Sequence, residues 1–170
     1  MTMVSRSCRG SVLRLASDDA NRVAELLVFV IGFGMALLTG AQVFSRYLLN
    51  HSLFWSEEVG RMALVWITFI GGSAAYKRHY HAGVDFLVAR LPYAGRRACR
   101  AMALCLGLLF FSVMVVYGVI FARFVVGQQT PALGIPVALP YLAIPAGGAL
   151  FFLHGLSELV ELILADRGEP

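Results

Sequence analysis

The chain has 170 residues, 59% of them hydrophobic and 14% charged, with a mean hydropathy of +0.75. That balance excludes an ordinary water-soluble globular domain, whose core cannot hide so large an apolar fraction. The formal net charge of +4 sits in patches beside apolar runs rather than along one basic face, which argues against a nucleic-acid partner.

Residues 1–23 read as a basic cytoplasmic tail carrying Arg6, Arg9, Arg14 and Arg22. Its Arg- and Ser-rich start, free of acids before Asp18, also has the composition of an organellar presequence; a plain tail is the preferred reading. The first transmembrane helix is expected over 24–47. Its uncharged stretch, 26–45, has the roughly 20 residues a helix needs to cross the hydrocarbon. A secretory h-region is shorter, about 7–15 residues, and no A-x-A cleavage pattern follows. Gly32, Ala36 and Gly40 recur at four-residue spacing, a small-residue stripe that lets a second backbone approach closely.

After a periplasmic loop at 48–56, a second transmembrane helix is expected over 57–76, with Ser56 as its N-cap and Trp55 as an interfacial anchor. Arg61 lies near its start, where a long cationic side chain can snorkel to the interface. Gly71 and Gly72 offer further close contacts. The cytoplasmic connection at 77–97 contains Val84, Leu87, Val88 and Leu91 at i, i+3, i+4 and i+7, one face of a helix, with Asp85 on another face and Pro92 ending the pattern. Residues 80–91 therefore read as an amphipathic helix, lying in the membrane interface or against a neighbouring subunit. The third transmembrane helix is expected over 98–123. The segment 124–157 is uncharged but too long for one span, and GQQTPALGIP breaks it: a periplasmic loop at 124–138 precedes a fourth helix at 139–160 and a cytoplasmic tail at 161–170.

The fold class is thus an all-α integral membrane protein with four transmembrane helices. Lys and Arg crowd the N-terminal tail and the connection after the second helix, while the loops at 48–56 and 124–138 hold almost none. Both termini are accordingly expected in the cytoplasm, since cytoplasmic loops hold the basic excess.

Arg46 closes the first span and Glu57, Glu58 and Arg61 open the second, so a short hairpin brings them to one depth. They read as a structural ion-pair cluster, with Glu57 to Arg61 in the favourable i, i+4 order. Either Glu57 or Glu58 could be the partner of Arg46. A proton or cation relay is the sharper alternative, but no acidic residue lies mid-span. Cys8, Cys99 and Cys105 form no CxxC pair, so neither a disulfide framework nor a zinc site is expected. His79, His81 and Asp85 read as a solvated cluster rather than a metal site, and His79 with His154 as unsuited to hold a haem. No GxSxG, HExxH, P-loop or GxGxxG is present. Neither an enzyme nor any cofactor is expected.

Several short features run in order along the chain: Gln42, Val43, Arg46 and Tyr47; Phe54-Trp55-Ser56-Glu57-Glu58 and Arg61; Trp66 and Gly71-Gly72; His81 and Val84-Asp85; Leu133-Gly134-Ile135-Pro136; and Ile144-Pro145. In that order and spacing, over about residues 25–160, the chain resembles the small, DctQ-type membrane subunit of the tripartite ATP-independent periplasmic (TRAP) transporters. The resemblance implies a bacterial inner-membrane protein that scaffolds a large multi-span transport subunit. That subunit would import an organic acid, coupled to a cation gradient, usually sodium, and receive it from a periplasmic substrate-binding protein. The exposed loop carrying Gln128, Gln129, Pro131, Gly134 and Pro136 would then help dock the binding protein. A chain ending just after its fourth span is expected to carry no fused large subunit. Two other readings compete: a small membrane subunit of a redox complex, and a homo-oligomeric transporter or channel. The substrate is not legible.

Overall fold

A computed structural model describes residues 3–50, 53–78 and 93–165. The chain order is α1 (Met3–Leu48), α2 (Phe54–Lys77), α3 (Tyr93–Phe124), the short α4 (Ala138–Tyr141) and α5 (Ala143–Ala165). Four segments are long and apolar enough to cross a membrane: Leu13–Leu48, Phe54–Lys77, Gly95–Phe124 and Ala138–Leu164. The four-span, all-helical expectation therefore holds. The amphipathic segment with Val84, Asp85, Leu87, Val88 and Leu91, like His79 and His81, lies outside the described residues.

The exterior of the bundle is apolar and its interior partly polar. Phe29, Phe33, Leu37, Leu109, Phe110 and Tyr117 are all exposed, whereas the largest fully buried side chains are His154, Ser17, Ser56 and Ser73. Lipid is as apolar as leucine, so burying leucine against leucine drives little association in a bilayer. Close backbone approach and internal hydrogen bonds take over. Ser73 donates to the Ile70 carbonyl at 2.7 Å and Ser112 to the Leu108 carbonyl at 2.7 Å, so each hydroxyl is satisfied on its own helix.

α5 is the central helix, packed against α3, α2 and α1 in turn. Glycines set these crossings. A Cβ on Gly147 would sit 2.7 Å from the Phe69 Cβ and 3.0 Å from its carbonyl oxygen, and one on Gly118 would sit 3.0 Å from the Pro145 nitrogen. A Cβ on Gly72 would sit 3.2 Å from the Phe151 ring and one on Gly71 3.6 Å from the Val28 side chain. Aromatic rings fill the remaining space: Phe111 stacks on Phe151 at 4.9 Å, and Tyr76 meets both edge-on.

Three boundaries differ from the sequence expectation. α1 does not begin at residue 24 but continues a helix that starts at Met3. The stretch before residue 24 contains no proline, and Arg14, Ser17 and Asp18 find partners on α2 and α5, which holds the helix in register there. α2 begins at Phe54 with Leu53 in the N-cap position. Ser56 is therefore not the N-cap: its hydroxyl donates to the Leu53 carbonyl at 2.6 Å instead of accepting from a backbone N–H. The fourth span divides at Leu142 into α4 and α5, because Pro145 has no N–H to donate to the Tyr141 carbonyl four residues back.

Candidate functional site

Three features outside the packed interior carry functional information: a clasped loop at one end, a layer of ion pairs at the other, and an open groove on α1.

At the loop end, residues 125–137 turn back on themselves. Thr130 N–H donates to the Ile135 carbonyl at 2.9 Å, Gly134 N–H to the Thr130 carbonyl at 2.9 Å, and Val137 N–H to the Gln128 carbonyl at 2.9 Å. Gly134 has φ of +64°, a left-handed conformation that glycine adopts without strain. The tip is fastened to α2 from outside, where the Glu58 carboxylate accepts from the Ala132 N–H at 2.8 Å and the Leu133 N–H at 3.0 Å. Charge-assisted bonds to adjacent amides hold a turn more firmly than neutral ones. A cavity of about 450 Å³ lies alongside, lined by Phe54, Glu57, Glu58, Arg61, Thr130, Pro131 and Tyr141 among others.

This geometry bears on the cluster expected from Arg46, Glu57, Glu58 and Arg61. Glu57, Glu58 and Arg61 do share one cavity wall. Among the described residues, no ion pair within 4 Å joins Arg46 to either glutamate, and Glu58 is engaged with the loop backbone. Gln128, Gln129, Pro131, Gly134 and Pro136 are all exposed on the clasped turn.

The ion pairs gather at the end that carries the termini. Arg14 of α1 meets Glu161 of α5 at 2.8 Å, Lys77 of α2 meets Asp18 of α1 at 3.0 Å, and Arg100 of α3 meets Glu158 of α5 at 2.7 Å. Arg78 grips Glu25 with two nitrogens, Nε at 2.7 Å. Each of these pairs joins two different helices. The sequence bears a signal of this layer, because acids in the tail and at the end of the fourth span fall at the same depth as Lys77, Arg78 and Arg100.

On α1 the small-residue stripe forms an open groove lined by Gly32, Met35, Ala36, Thr39, Gly40 and Val43. Gly32 only grazes Ile67 of α2, and a Cβ on Gly40 would meet nothing within 4 Å. Among the described residues, no other helix fills this groove.

The described residues thus define a four-helix membrane bundle with a clasped loop at one end and an inter-helix charge layer at the other. Residues 35–165 match the family of tripartite ATP-independent periplasmic transporters, DctQ component, and the chain belongs to that family. It is similar to the C4-dicarboxylate TRAP transporter small permease protein DctQ of Vibrio cholerae, 38% identical over 55% of this chain and 39% of that one. It is also similar to the ectoine TRAP transporter small permease protein TeaB of Halomonas elongata, 31% identical over 83% of this chain and 74% of that one. A stretch covering 42% of this chain is 32% identical to only 12% of the sialic acid TRAP transporter permease protein SiaT of Haemophilus influenzae.

Proposed function

We propose that this chain is the fixed scaffold of a TRAP transporter in the bacterial inner membrane, with both termini cytoplasmic. It holds a large multi-span transport subunit level in the bilayer while that subunit carries out sodium-coupled uptake of an organic acid. A periplasmic binding protein delivers the substrate, and the clasped turn at 128–136 takes part in docking it.

The observation that carries the reading is the unfilled groove along Gly32, Ala36 and Gly40. A bare small-residue stripe in lipid is suited to a partner helix, because close backbone approach gives the packing that hydrophobic burial cannot. The similarity of part of this chain to a small fraction of a far longer permease protein supports such a partnership. The relatives' names differ in substrate, C4-dicarboxylate in one and ectoine in another, which suits a subunit that does not select the substrate. Glu58 supports the docking role by fixing the backbone of the turn that presents the exposed side chains.

Proteoliposomes containing the large subunit and the binding protein, with and without this chain, test the proposal. Uptake of a labelled organic acid down an imposed sodium gradient should require this chain. Equal uptake in its absence, or uptake indifferent to sodium, would overturn it.

A further inference from the structure

At the end of the bundle that carries the termini, the four long helices leave a cavity of about 420 Å³. Its wall includes Arg14 and Asp18 of α1, Lys77 of α2, Arg100 of α3, and Glu158 and Glu161 of α5, three cations and three carboxylates. Formal charge therefore balances there, and a bare anion would gain little net attraction.

His154 also lines this cavity, and a short chain of hydrogen bonds reaches its ring. Lys77 Nζ lies 2.8 Å from Ser17 Oγ, and an ammonium can only donate. The Ser17 hydroxyl is then free to donate its own proton to His154 Nδ1, 2.8 Å away. A ring accepting at Nδ1 carries its proton at Nε2, and the doubly protonated ring carries one there as well. His154 is 2% exposed, yet its Nε2 has no hydrogen-bond partner among the described residues. A buried ring nitrogen left unmet is costly in either tautomer, so a site that keeps one points to a partner supplied from outside, an acceptor when Ser17 donates to Nδ1.

The neighbouring guanidinium groups also have donors in reserve. Arg14 commits Nε and Nη2 to Glu161, out of five N–H bonds in each guanidinium. An oxygen-rich group thus finds donors from His154 and the arginines, and an ammonium finds the carboxylates of Glu158 and Glu161. Leu15 on α1 and Met102 on α3, at this same end of the bundle, are 63% and 61% exposed, giving acyl chains an apolar surface nearby.

We propose that this cavity binds the headgroup of a zwitterionic phospholipid. The phosphate lies against Arg14, Arg100 and the His154 Nε2–H, and the ammonium against the α5 carboxylates. The bound lipid bridges α1 and α3 across α5. The site requires nothing of the transporter assignment.

The test uses the full chain purified in mild detergent. Native mass spectrometry should find phosphatidylethanolamine retained in equal number with the protein. After delipidation, dihexanoyl phosphatidylethanolamine should raise the melting temperature, while dihexanoyl phosphatidylglycerol and inorganic phosphate should not. Arg100→Gln should weaken the phosphatidylethanolamine effect about tenfold or more, and Arg22→Gln, outside the cavity, should leave it unchanged. His154→Phe should abolish it; Arg100→Gln keeps the test decisive where that variant does not fold. Equal stabilisation by phosphatidylglycerol or inorganic phosphate, or an undiminished effect in Arg100→Gln, would overturn the proposal.

Discussion

The Glu58 carboxylate lies 2.8 Å from the backbone N–H of Ala132, joining the first turns of α2 to a turn 74 residues further along the chain. With the second bond to the Leu133 N–H, one side chain converts an exposed loop of otherwise local hydrogen bonds into a fixed surface. Glu58→Ala should leave the helices intact and free the turn. Amide hydrogen exchange at Ala132 and Leu133 should rise by about tenfold or more, with the helical amides unchanged.

The glycines divide into two groups with opposite expected phenotypes. Gly147→Val places a branched side chain against the backbone of Phe69, where nothing flexible can yield. The isolated chain should lose about 1–3 kcal/mol of stability or fail to fold, as overpacking predicts. Thermal unfolding in detergent measures the loss.

At Gly40, in contrast, an added Cβ meets nothing within 4 Å among the described residues, so Gly40→Leu extends into the open groove. Its melting temperature alone should match the wild type, while its assembly with the large subunit should fail. Size-exclusion chromatography of the chain and of the co-expressed pair separates the two effects.

How much of this was legible beforehand depended on the kind of signal. The four spans were visible because uncharged runs of helical length have no other use. Gly32, Gly40, Gly71 and Gly72 read alike as small residues, and sequence could not show which of them would face a neighbour or that Gly40 opens outward. The tail escaped because a basic composition says nothing about continued helix: Ser17 and Asp18 become structural only when α2 and α5 bring Lys77 and His154 to them. For the same reason Glu58 read as an ion-pair member. Its backbone partners, Ala132 and Leu133, have no side-chain signature.

Ser17→Ala removes the hydroxyl that links Lys77 to His154. A hydrogen bond inside a membrane bundle is worth about 0.6–2 kcal/mol, and the loss leaves a second ring nitrogen of His154 unmet. A destabilisation of about 1–2 kcal/mol is expected, within the usual range for an orphaned buried polar group. Equilibrium unfolding in mixed micelles, with Ser73→Ala for comparison, checks it.

The Arg78 and Glu25 pair joins α2 to α1 through two guanidinium nitrogens. Arg78→Lys keeps the charge but loses the fork, so it should lower the melting temperature almost as much as Arg78→Gln. Because both groups are partly exposed, the difference from wild type should shrink in high salt. Thermal unfolding at two ionic strengths tests both statements.

The central claim is that this bundle exists to hold a larger membrane protein. Its most direct test is to tag the chain at the C-terminus, solubilise native membranes gently, and identify what co-purifies by mass spectrometry. A large multi-span protein in about equal amount, lost with Gly40→Leu, is the expected result. Recovery of the chain alone, or only with redox proteins, would contradict the account.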